Sequence, residues 1–268
     1  MNTEPQKVLV AGATGYLGGY VLKELKRQGH WVRALVRSAG KLKGLETEPD
    51  EIFEGQVTEP ESLRNLCQGI EVVFSSIGIT RQKDGLTFRD VDYQGNMNLL
   101  QEAKRAGVKK FVYVSVLNGP NLMHLDIVKA HEDFVAQLMA SGLEYTIIRP
   151  TGYFSDMGEI LKMAEKGRVW MIGSGKNKMN PIHGADLAVV CVDSISTGIT
   201  EIDAGGPEIL TQRQIAEEAF SAVGKPARIS SIPAWLMKAI VWLTQLFSRH
   251  QGQMLAFFTT MMLTDVVA

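Results

Sequence analysis

The chain has 268 residues, of which 45% are hydrophobic and 21% charged, and its formal net charge is −1. This composition is typical of a globular protein with one main hydrophobic core, alone or with a small additional lobe. Because the chain carries no excess of Lys and Arg, we expect no nucleic-acid partner.

Short β-branched runs alternate with longer segments of helical spacing. The predicted strands cover residues 7–12, 31–37, 51–57, 71–78, 110–116 and 144–150, and the predicted helices lie within 15–29, 58–69, 88–107 and 126–142. Most strand segments are too apolar to leave one face in water, which is typical of a buried parallel sheet. Most helical segments end at a glycine suited to a helix C-cap. The alternation predicts an α/β fold with a doubly wound parallel sheet and right-handed crossovers.

Glycines cluster where the first predicted strand meets the first predicted helix, in AGATGYLGGY at 11–20. Glycine costs backbone entropy and offers no packing surface, so the cluster indicates a tight turn or the close approach of another molecule. In this context Gly12 would permit the turn, Gly15 would let a pyrophosphate approach, and Gly18 would let the helix pack closely on the sheet. We therefore expect a dinucleotide here, although a turn without a ligand would also use these glycines.

The regular alternation weakens after Pro150, where loop, helix and short-strand patterns mix. We therefore assign residues 1–150 to a dinucleotide-binding domain. Residues 151–268 are assigned to a small C-terminal substrate lobe that is interleaved with the end of the first domain.

The last part of the chain is strongly apolar. Between Ala234 and Thr264 the formal charges are Lys238 and Arg249, and each of two apolar stretches is shorter than the roughly 20 residues that cross a bilayer. We therefore expect no transmembrane span. The segment must be buried in the fold, in a second subunit, in a site for a lipid-like ligand or at a membrane surface. Burial in the fold or a subunit interface is favoured, because two basic residues attract anionic lipid weakly.

The two cysteines, Cys67 and Cys191, lie far apart within apolar patterns, which favours buried free thiols over a disulfide. This use of cysteine is typical of a reducing compartment, and the N-terminal residues lack the pattern of a secretion signal. We therefore expect a cytoplasmic protein. The histidines show no ligand spacing with cysteines or acidic residues, so no metal site is predicted.

Six motifs resemble the short-chain dehydrogenase/reductase superfamily, in particular its atypical NmrA-like, NAD(P)H-binding branch. They are GATGYLG at 12–18, ALVR at 34–37, SSIG at 75–78, DVDYQGNMNLL at 90–100, FVYVSV at 111–116 and IIRPTGYF at 147–154. The resemblance implies a Rossmann-type fold and a bound nicotinamide dinucleotide. The residues implied to contact it are Gly12, Thr14, Gly15, Tyr16, Leu17, Gly18, Arg37, Ser38, Ile77, Gly78, Lys129 and Pro150.

The residue that ends the second strand selects the cofactor in this superfamily. An acidic residue would bind the ribose hydroxyls of NAD, whereas a basic residue pairs with the 2′-phosphate of NADP. This chain has Arg37, followed by Ser38 and Lys41. A guanidinium binds phosphate oxygens bidentately, so we expect NADP, although an arginine that is merely solvated would also fit.

The resemblance implies Ser115 as the serine that orients a substrate carbonyl and Lys129 as the lysine that holds the nicotinamide ribose. The tyrosine that donates the proton in typical members is replaced by Leu125, so the usual carbonyl-reductase mechanism does not transfer. Tyr153 and His124 are the alternative donors, and chain position favours Tyr153 as the third catalytic candidate. A packed tyrosine and a surface lysine are the competing structural interpretations.

Two functions remain open. The first is an NADPH-dependent oxidoreductase that reduces a small or moderately apolar organic molecule, which Ser115 and Lys129 favour. The second is a sensor, assembly or regulatory protein that binds NADP without turnover, which Leu125 favours. The sequence predicts neither the substrate nor the oligomeric state.

Overall fold

A computed structural model describes residues 4–38, 40, 47–79 and 85–268. The strands are β1 (Lys7–Ala11), β2 (Trp31–Val36), β3 (Glu51–Glu54), β4 (Val72–Ser75), β5 (Lys110–Val114), β6 (Glu144–Pro150), β7 (Val169–Ile172), β8 (Lys178–Met179), β9 (Glu201–Ala204), β10 (Leu210–Thr211) and β11 (Ile229–Ile232). The α-helices are α1 (Tyr16–Arg27), α2 (Asn96–Ala106), α3 (Asp126–Met139), α4 (Gly158–Glu165), α5 (Gly184–Asp193), α6 (Gln212–Ala222), α7 (Ala234–Phe247) and α8 (Arg249–Leu263).

Seven of the described strands form one sheet in the order β3-β2-β1-β4-β5-β6-β9. Neighbouring strands from β3 to β6 are parallel. The strand order reverses between β1 and β4, which is the point at which a doubly wound sheet opens a crevice for ligands. The predicted α/β, Rossmann-type fold is confirmed.

The chain divides into two compact units. The first contains the described residues up to Arg149 together with Gly184–Asp203, and the second contains Pro150–His183 and Ala204–Ala268. The sequence assigns Gly184–Asp203 to the C-terminal lobe, whereas the structure groups this segment with the first unit. The reason is packing, because α5 lies against α1 and buries the apolar side chains of its inner face.

The core of the first unit fills the faces of the central strands. β1, β4 and β5 are buried along almost their whole length, as apolar strands covered by helices should be. Both cysteines are buried free thiols. Burial raises the pKa of the Cys67 thiol to about 12 and also raises the pKa of Cys191. These thiols are therefore protonated packing groups at neutral pH.

Two predicted helices differ from the structure. The segment 58–69 forms a 3₁₀ turn at Pro60–Leu63 followed by further turns, because Asn65 has a left-handed φ of 65° that interrupts helical propagation. Its apolar side chains are buried nevertheless. The segment 88–107 begins with a π-helical turn at Arg89–Gly95 before α2 continues to its left-handed cap at Gly107.

The second unit contains two small sheets. β7 pairs with β11 in parallel, and β8 pairs with β10 in antiparallel orientation. Helices α4 and α6 enclose a small core around Met171 and Phe220. Helices α7 and α8 pack against each other.

Helix α7, the first apolar stretch of the C-terminal segment, is not buried in the fold, so of the expected alternatives a subunit interface, a lipid-like ligand and a membrane surface remain for it. Within α7, all of whose residues are described, Met237 is buried, whereas Trp235 and Trp242 are 71% and 61% exposed. None of the described helices is long and apolar enough to cross a membrane.

Candidate functional site

The glycine turn joins β1 to α1 at the point where the strand order of the sheet reverses. Gly12 has a φ of +96°, which favours glycine, and the N–H of Gly15 donates to the Gly12 carbonyl oxygen at 2.8 Å. A Cβ on Gly18 would overlap that carbonyl oxygen. The turn is therefore tight, and α1 begins in direct contact with it.

The N-terminus of α1 is open on its outer side. Gly15 is the N-cap and has no side chain to accept a hydrogen bond from the first turn of the helix. A Cβ on Gly15 would meet the Gly12 carbonyl oxygen at 3.1 Å and no other atom within 4 Å. A helix start whose N-cap has no side chain and adjoins open space is suited to an anion such as a pyrophosphate.

Three other residues of the predicted nucleotide set lie on the same turn and helix. Thr14 is exposed, and Leu17 is buried in the core. The hydroxyl of Tyr16 accepts a hydrogen bond from the N–H of Gly184 at 3.1 Å, and its ring packs edge-to-face on Tyr20. Tyr16 therefore connects the start of α1 to the start of α5.

Arg37 and Ser38 are exposed at the end of β2, beside the glycine turn. The register pairs Ala11 with Leu35, so Gly12 is level with Val36 and Arg37 lies one residue further along the neighbouring strand. The register thus places Arg37 and the glycine turn at the ends of adjacent strands. Lys41 lies outside the described residues.

The loop after β4 runs along the other side of the turn. A Cβ on Gly12 would lie 2.8 Å from the Ser76 Oγ, so turn and loop are in contact. Asn96 Nδ2 donates to the carbonyl oxygen of Ile77 at 3.3 Å, and Asp92 Oδ2 accepts from the N–H of Ile79 at 3.2 Å. Ile77 is half-buried and Gly78 is exposed. The hydrogen bonds to Asn96 and Asp92 hold the backbone on both sides of Gly78.

A buried chain of polar side chains supports this loop. The Tyr113 hydroxyl lies 2.5 Å from His131 Nδ1, and His131 Nε2 lies 3.2 Å from Asp92 Oδ1. A neutral imidazole that accepts from Tyr113 and donates to Asp92 satisfies all three groups. Burial raises the pKa of the Asp92 carboxyl, and burial also raises the pKa of Tyr113. A Cβ on Gly78 would lie 3.2 Å from Asp92 Oδ1, so this network is directly under the loop.

Ser115 follows β5 and is tied to a buried ion pair. Its hydroxyl donates to Glu132 Oε1 at 2.7 Å, and Glu132 accepts two hydrogen bonds from Arg149, at 2.6 and 3.0 Å. All three residues are buried. A substrate carbonyl would therefore compete with a carboxylate for the Ser115 proton.

The start of α3 carries the position that typical members give to tyrosine. Leu125 is the N-cap of α3 and is 3% exposed, so an apolar side chain occupies this position. Lys129, one turn later, is exposed and its ammonium lies 2.9 Å from Asp133 Oδ1. Lys129 would have to exchange this carboxylate for a ribose hydroxyl if it holds a nucleotide. His124 is exposed.

Pro150 and Tyr153 belong to the second compact unit. Pro150 ends β6, and Tyr153 is half-buried and forms a backbone bridge with Ile182. This bridge holds the loop after β6 against the segment that precedes α5.

Sequence reasoning missed the side chains of the two buried networks: Asp92, Asn96, Tyr113, His131, Glu132 and Arg149. A signal was present in α3, where His131 lies on the same helical stripe as the buried Val128, Phe134 and Val135. A polar side chain on an apolar stripe needs a buried partner. Among the described residues, no group of three or more His, Cys, Asp or Glu is placed to hold a metal ion.

Solved structures with this fold include nicotinamide-dependent enzymes. The NADPH complex of an NADPH-dependent quinone oxidoreductase from Escherichia coli aligns with a TM-score of 0.76 and 24% identity, over 95% of this chain and 88% of that one. The NADP(H) complex of the triphenylmethane reductase from Citrobacter sp. aligns with a TM-score of 0.77 and 18% identity, over 97% and 91%. These similarities show the fold.

Curated relatives fall into two groups. The photosystem II assembly factor Ycf39 of Synechocystis sp. is 31% identical over 248 residues, which are 90% of this chain and 75% of that protein. The chloroplastic divinyl chlorophyllide a 8-vinyl-reductase of Oryza sativa subsp. indica is 31% identical over 258 residues, which are 88% of this chain and 63% of the relative.

A profile of the family described as NAD(P)H-binding matches residues 12–197. The chain belongs to this family, and the resemblance to the atypical, NmrA-like branch of the short-chain dehydrogenase/reductase superfamily is confirmed.

Proposed function

From its membership of the NAD(P)H-binding family, we propose that the chain is an NADPH-dependent oxidoreductase that reduces a small or moderately apolar organic molecule. The observation that carries this proposal is the adjacent placement of the open glycine turn and the exposed Arg37 at the ends of β1 and β2. NADPH, when bound, supplies a hydride to the substrate. The protein's own residues bind the nucleotide, orient it and supply or withhold a proton.

Different residues around the turn would bind different parts of the nucleotide. The N–H groups that follow Gly15 would bind the pyrophosphate, and Arg37 with Ser38 would bind the 2′-phosphate. Ile77 and Gly78 would line the nucleotide on the side of β4. Lys129 would hold the nicotinamide ribose after leaving Asp133. The residues present therefore fit NADPH better than NADH.

The proton must come from a group other than the usual tyrosine. Leu125 has no proton to donate, and the Ser115 hydroxyl is donated to Glu132. We assign the donor role to Tyr153 and expect substrates that are conjugated acceptors, which take a hydride from NADPH and a single proton that water can also supply. The relatives named as vinyl-reductases support a carbon–carbon double bond among the acceptors.

A second function is favoured by a specific observation. The absence of a proton donor at Leu125 and the engagement of Ser115 would suit a protein that binds NADPH without turnover, as a sensor or assembly factor. The relatives named as photosystem II assembly factors support this alternative. In both functions we place the protein in the cytoplasm, which its buried free thiols support.

Isothermal titration with NADPH and NADH tests the nucleotide. If Arg37 binds the 2′-phosphate, Arg37→Asp should weaken NADPH binding by about 1.5–3 kcal/mol and leave NADH binding nearly unchanged. Arg64→Asp, the same charge change at an exposed arginine paired with Glu61, is the control. Tighter binding of NADH than of NADPH by the unchanged protein would contradict the assignment.

Oxidation of NADPH in the presence of quinones, enones, vinyl-substituted aromatics and aldehydes separates the two functions. Tyr153→Phe should retain NADPH affinity and lower turnover by roughly 10²–10⁴-fold, as expected for a lost general acid. Lys129→Met should weaken NADPH binding as well. NADPH binding without oxidation by any acceptor would favour the sensor, and full activity of Tyr153→Phe would refute the assignment of the donor alone.

A further inference from the structure

Helix α7 presents an apolar surface that its own unit does not cover. Leu246 and Phe247 are 64% and 90% exposed, in addition to the two exposed tryptophans at Trp235 and Trp242. Isolated exposed apolar side chains are ordinary, but a contiguous group of this size marks an interaction site.

The exposed side chains form one continuous face. At 100° per residue, the stripe 235, 239, 242, 246 lies beside the stripe 236, 240, 243, 247, and together they cover an arc of roughly 160°. The opposite side of the helix faces α8, where Gly252 lies so close to Gln245 that a Cβ would meet the Gln245 Cα at 2.8 Å. The packing of α8 therefore leaves the apolar arc outward.

The charges that the sequence places within α7 and along the chain on either side of it are of one sign. The sequence has no acidic residue from 219 to 264, whereas Lys225, Arg228, Lys238 and Arg249 lie within the same range. Lys238 is exposed and lies about 40° from Trp242 around the helix, at the border of the apolar arc. A lysine there can extend its ammonium to lipid phosphates while its methylenes follow the apolar surface.

We propose that α7 binds the surface of a bilayer that contains anionic lipid, with its axis in the plane of the membrane. Its 14 residues extend about 21 Å, which is less than the roughly 30 Å hydrocarbon core, so it lies at the interface. Tryptophan favours this depth, because its ring is apolar and its N–H remains near water. A second copy of α7 would bring together two faces of the same charge, which disfavours self-association.

Vesicle flotation tests the proposal with the full chain. The protein should float with vesicles of phosphatidylcholine and phosphatidylglycerol, bind vesicles of phosphatidylcholine alone more weakly, and show a blue shift of tryptophan emission on binding. High salt should weaken the binding to the anionic vesicles. The double variant Trp242→Ser, Phe247→Ser should lower the bound fraction at least about tenfold, and Lys238→Glu should lower binding to anionic vesicles selectively.

A matched control and a second measurement keep the outcomes distinct. Ile209→Ser changes a 55% exposed apolar residue of the same unit outside α7 and should bind vesicles normally. Circular dichroism should show that every variant is folded. The proposal is overturned if the unchanged protein floats with neither vesicle or if the α7 variants bind as well as Ile209→Ser. A dimer in sedimentation equilibrium that the α7 double variant abolishes would instead assign the face to a second copy.

Discussion

Ser115, Glu132 and Arg149 form a buried unit in which each group depends on the others. Glu132→Ala should destabilise the protein by about 3–5 kcal/mol, because it leaves the buried Arg149 guanidinium with the Val116 carbonyl oxygen at 3.2 Å and the half-exposed Glu201 carboxylate at 3.4 Å. Ser115→Ala removes one hydrogen bond and should cost about 1 kcal/mol. Urea denaturation measures both values. Equal losses in the two variants would show that the ion pair is not the dominant interaction.

The contact between His131 and Asp92 leads us to expect a stability that depends on pH. His131→Leu should destabilise the protein by about 2–4 kcal/mol at neutral pH, because it removes the donor to a buried carboxylate and the acceptor of the Tyr113 hydroxyl. Tyr113→Phe, which removes only that hydroxyl, should cost about 1–2 kcal/mol.

The sign of the pH dependence follows from the raised pKa of Asp92. A carboxyl with a raised folded pKa stabilises the fold when protonated, and this contribution is lost as pH rises through the folded pKa. The His131 hydrogen bond lowers this pKa against the effect of burial, so its loss in His131→Leu raises the Asp92 pKa further, and the deficit of the variant should shrink as pH falls through that pKa. A deficit that grows in acid, measured by denaturation across that range, would show that Asp92 is not the group left without a partner.

At the scale of residues, the sequence predicts features that depend on local backbone conformation or on a residue type missing from a motif. Gly12 could be placed at a turn because its conformation is local, and Leu125 could be recognised because the residue type is missing from a motif. The link from Ser115 to Glu132 and Arg149 could not be predicted, because its members come from β5, α3 and β6 and meet only when the sheet forms.

At the scale of elements, two glycines of the turn before α1 should differ in role. We expect Gly18 to be needed for packing and Gly15 for nucleotide binding. Gly18→Ala should destabilise the fold by about 1–3 kcal/mol, because its Cβ would overlap the Gly12 carbonyl oxygen and α1 must shift. Gly15→Val should keep the sheet folded and abolish nucleotide binding, because its side chain would project into the open space at the helix start. Circular dichroism with calorimetric titration tests both, and unchanged affinity in Gly15→Val would make this turn only structural.

Glu71 links the starts of β1, β4 and β5. Its carboxylate accepts from the Lys7 N–H at 3.1 Å and from the Lys109 ammonium at 3.0 Å. The hydrogen bond from Lys109, followed by the one from Lys7, lowers the pKa of Glu71. A lowered folded pKa gives stability that is present above the unfolded pKa and lost as pH falls through the folded pKa.

Glu71→Gln should therefore destabilise the protein at neutral pH and converge with the unchanged protein in acid. The loss at pH 7 should be below about 1 kcal/mol, because the carboxylate is partly exposed and solvent screens the pair. Glu61→Gln, at a carboxylate that is 79% exposed, is the control. A loss that is the same at pH 7 and in acid would contradict the electrostatic explanation.

Elements of the first unit could be predicted because apolar runs of strand length and amphipathic helices repeat. The exception at 58–69 has helical composition, but its left-handed Asn65 breaks the helix while Leu66 and Cys67 still pack into the core. Burial pattern alone does not distinguish a helix from a series of turns. The short strands β7 to β11 could not be predicted, since segments of two to four residues carry too little periodicity.

At the scale of the molecule, nucleotide binding should be visible as stability. NADPH at about one hundred times its Kd should raise the free energy of unfolding by about 2.7 kcal/mol and the Tm by about 5–10 °C. The glycine turn and Arg37 lie in the first unit, so the transition of that unit should shift. Gly15→Val should show no shift with NADPH. A shift of equal size with NADH and NADPH would contradict the preference for the 2′-phosphate.

The two buried thiols allow the opening of the first unit to be measured without an added probe. Cys67 and Cys191 both belong to the first unit, and they are the only cysteines of the chain. Because burial keeps them protonated and shielded, a thiol reagent can modify them only when that unit opens. The labelling rate of the unchanged protein therefore reports the opening of the first unit without contribution from the second, and its decrease with added NADPH would measure protection of that unit with no engineered probe.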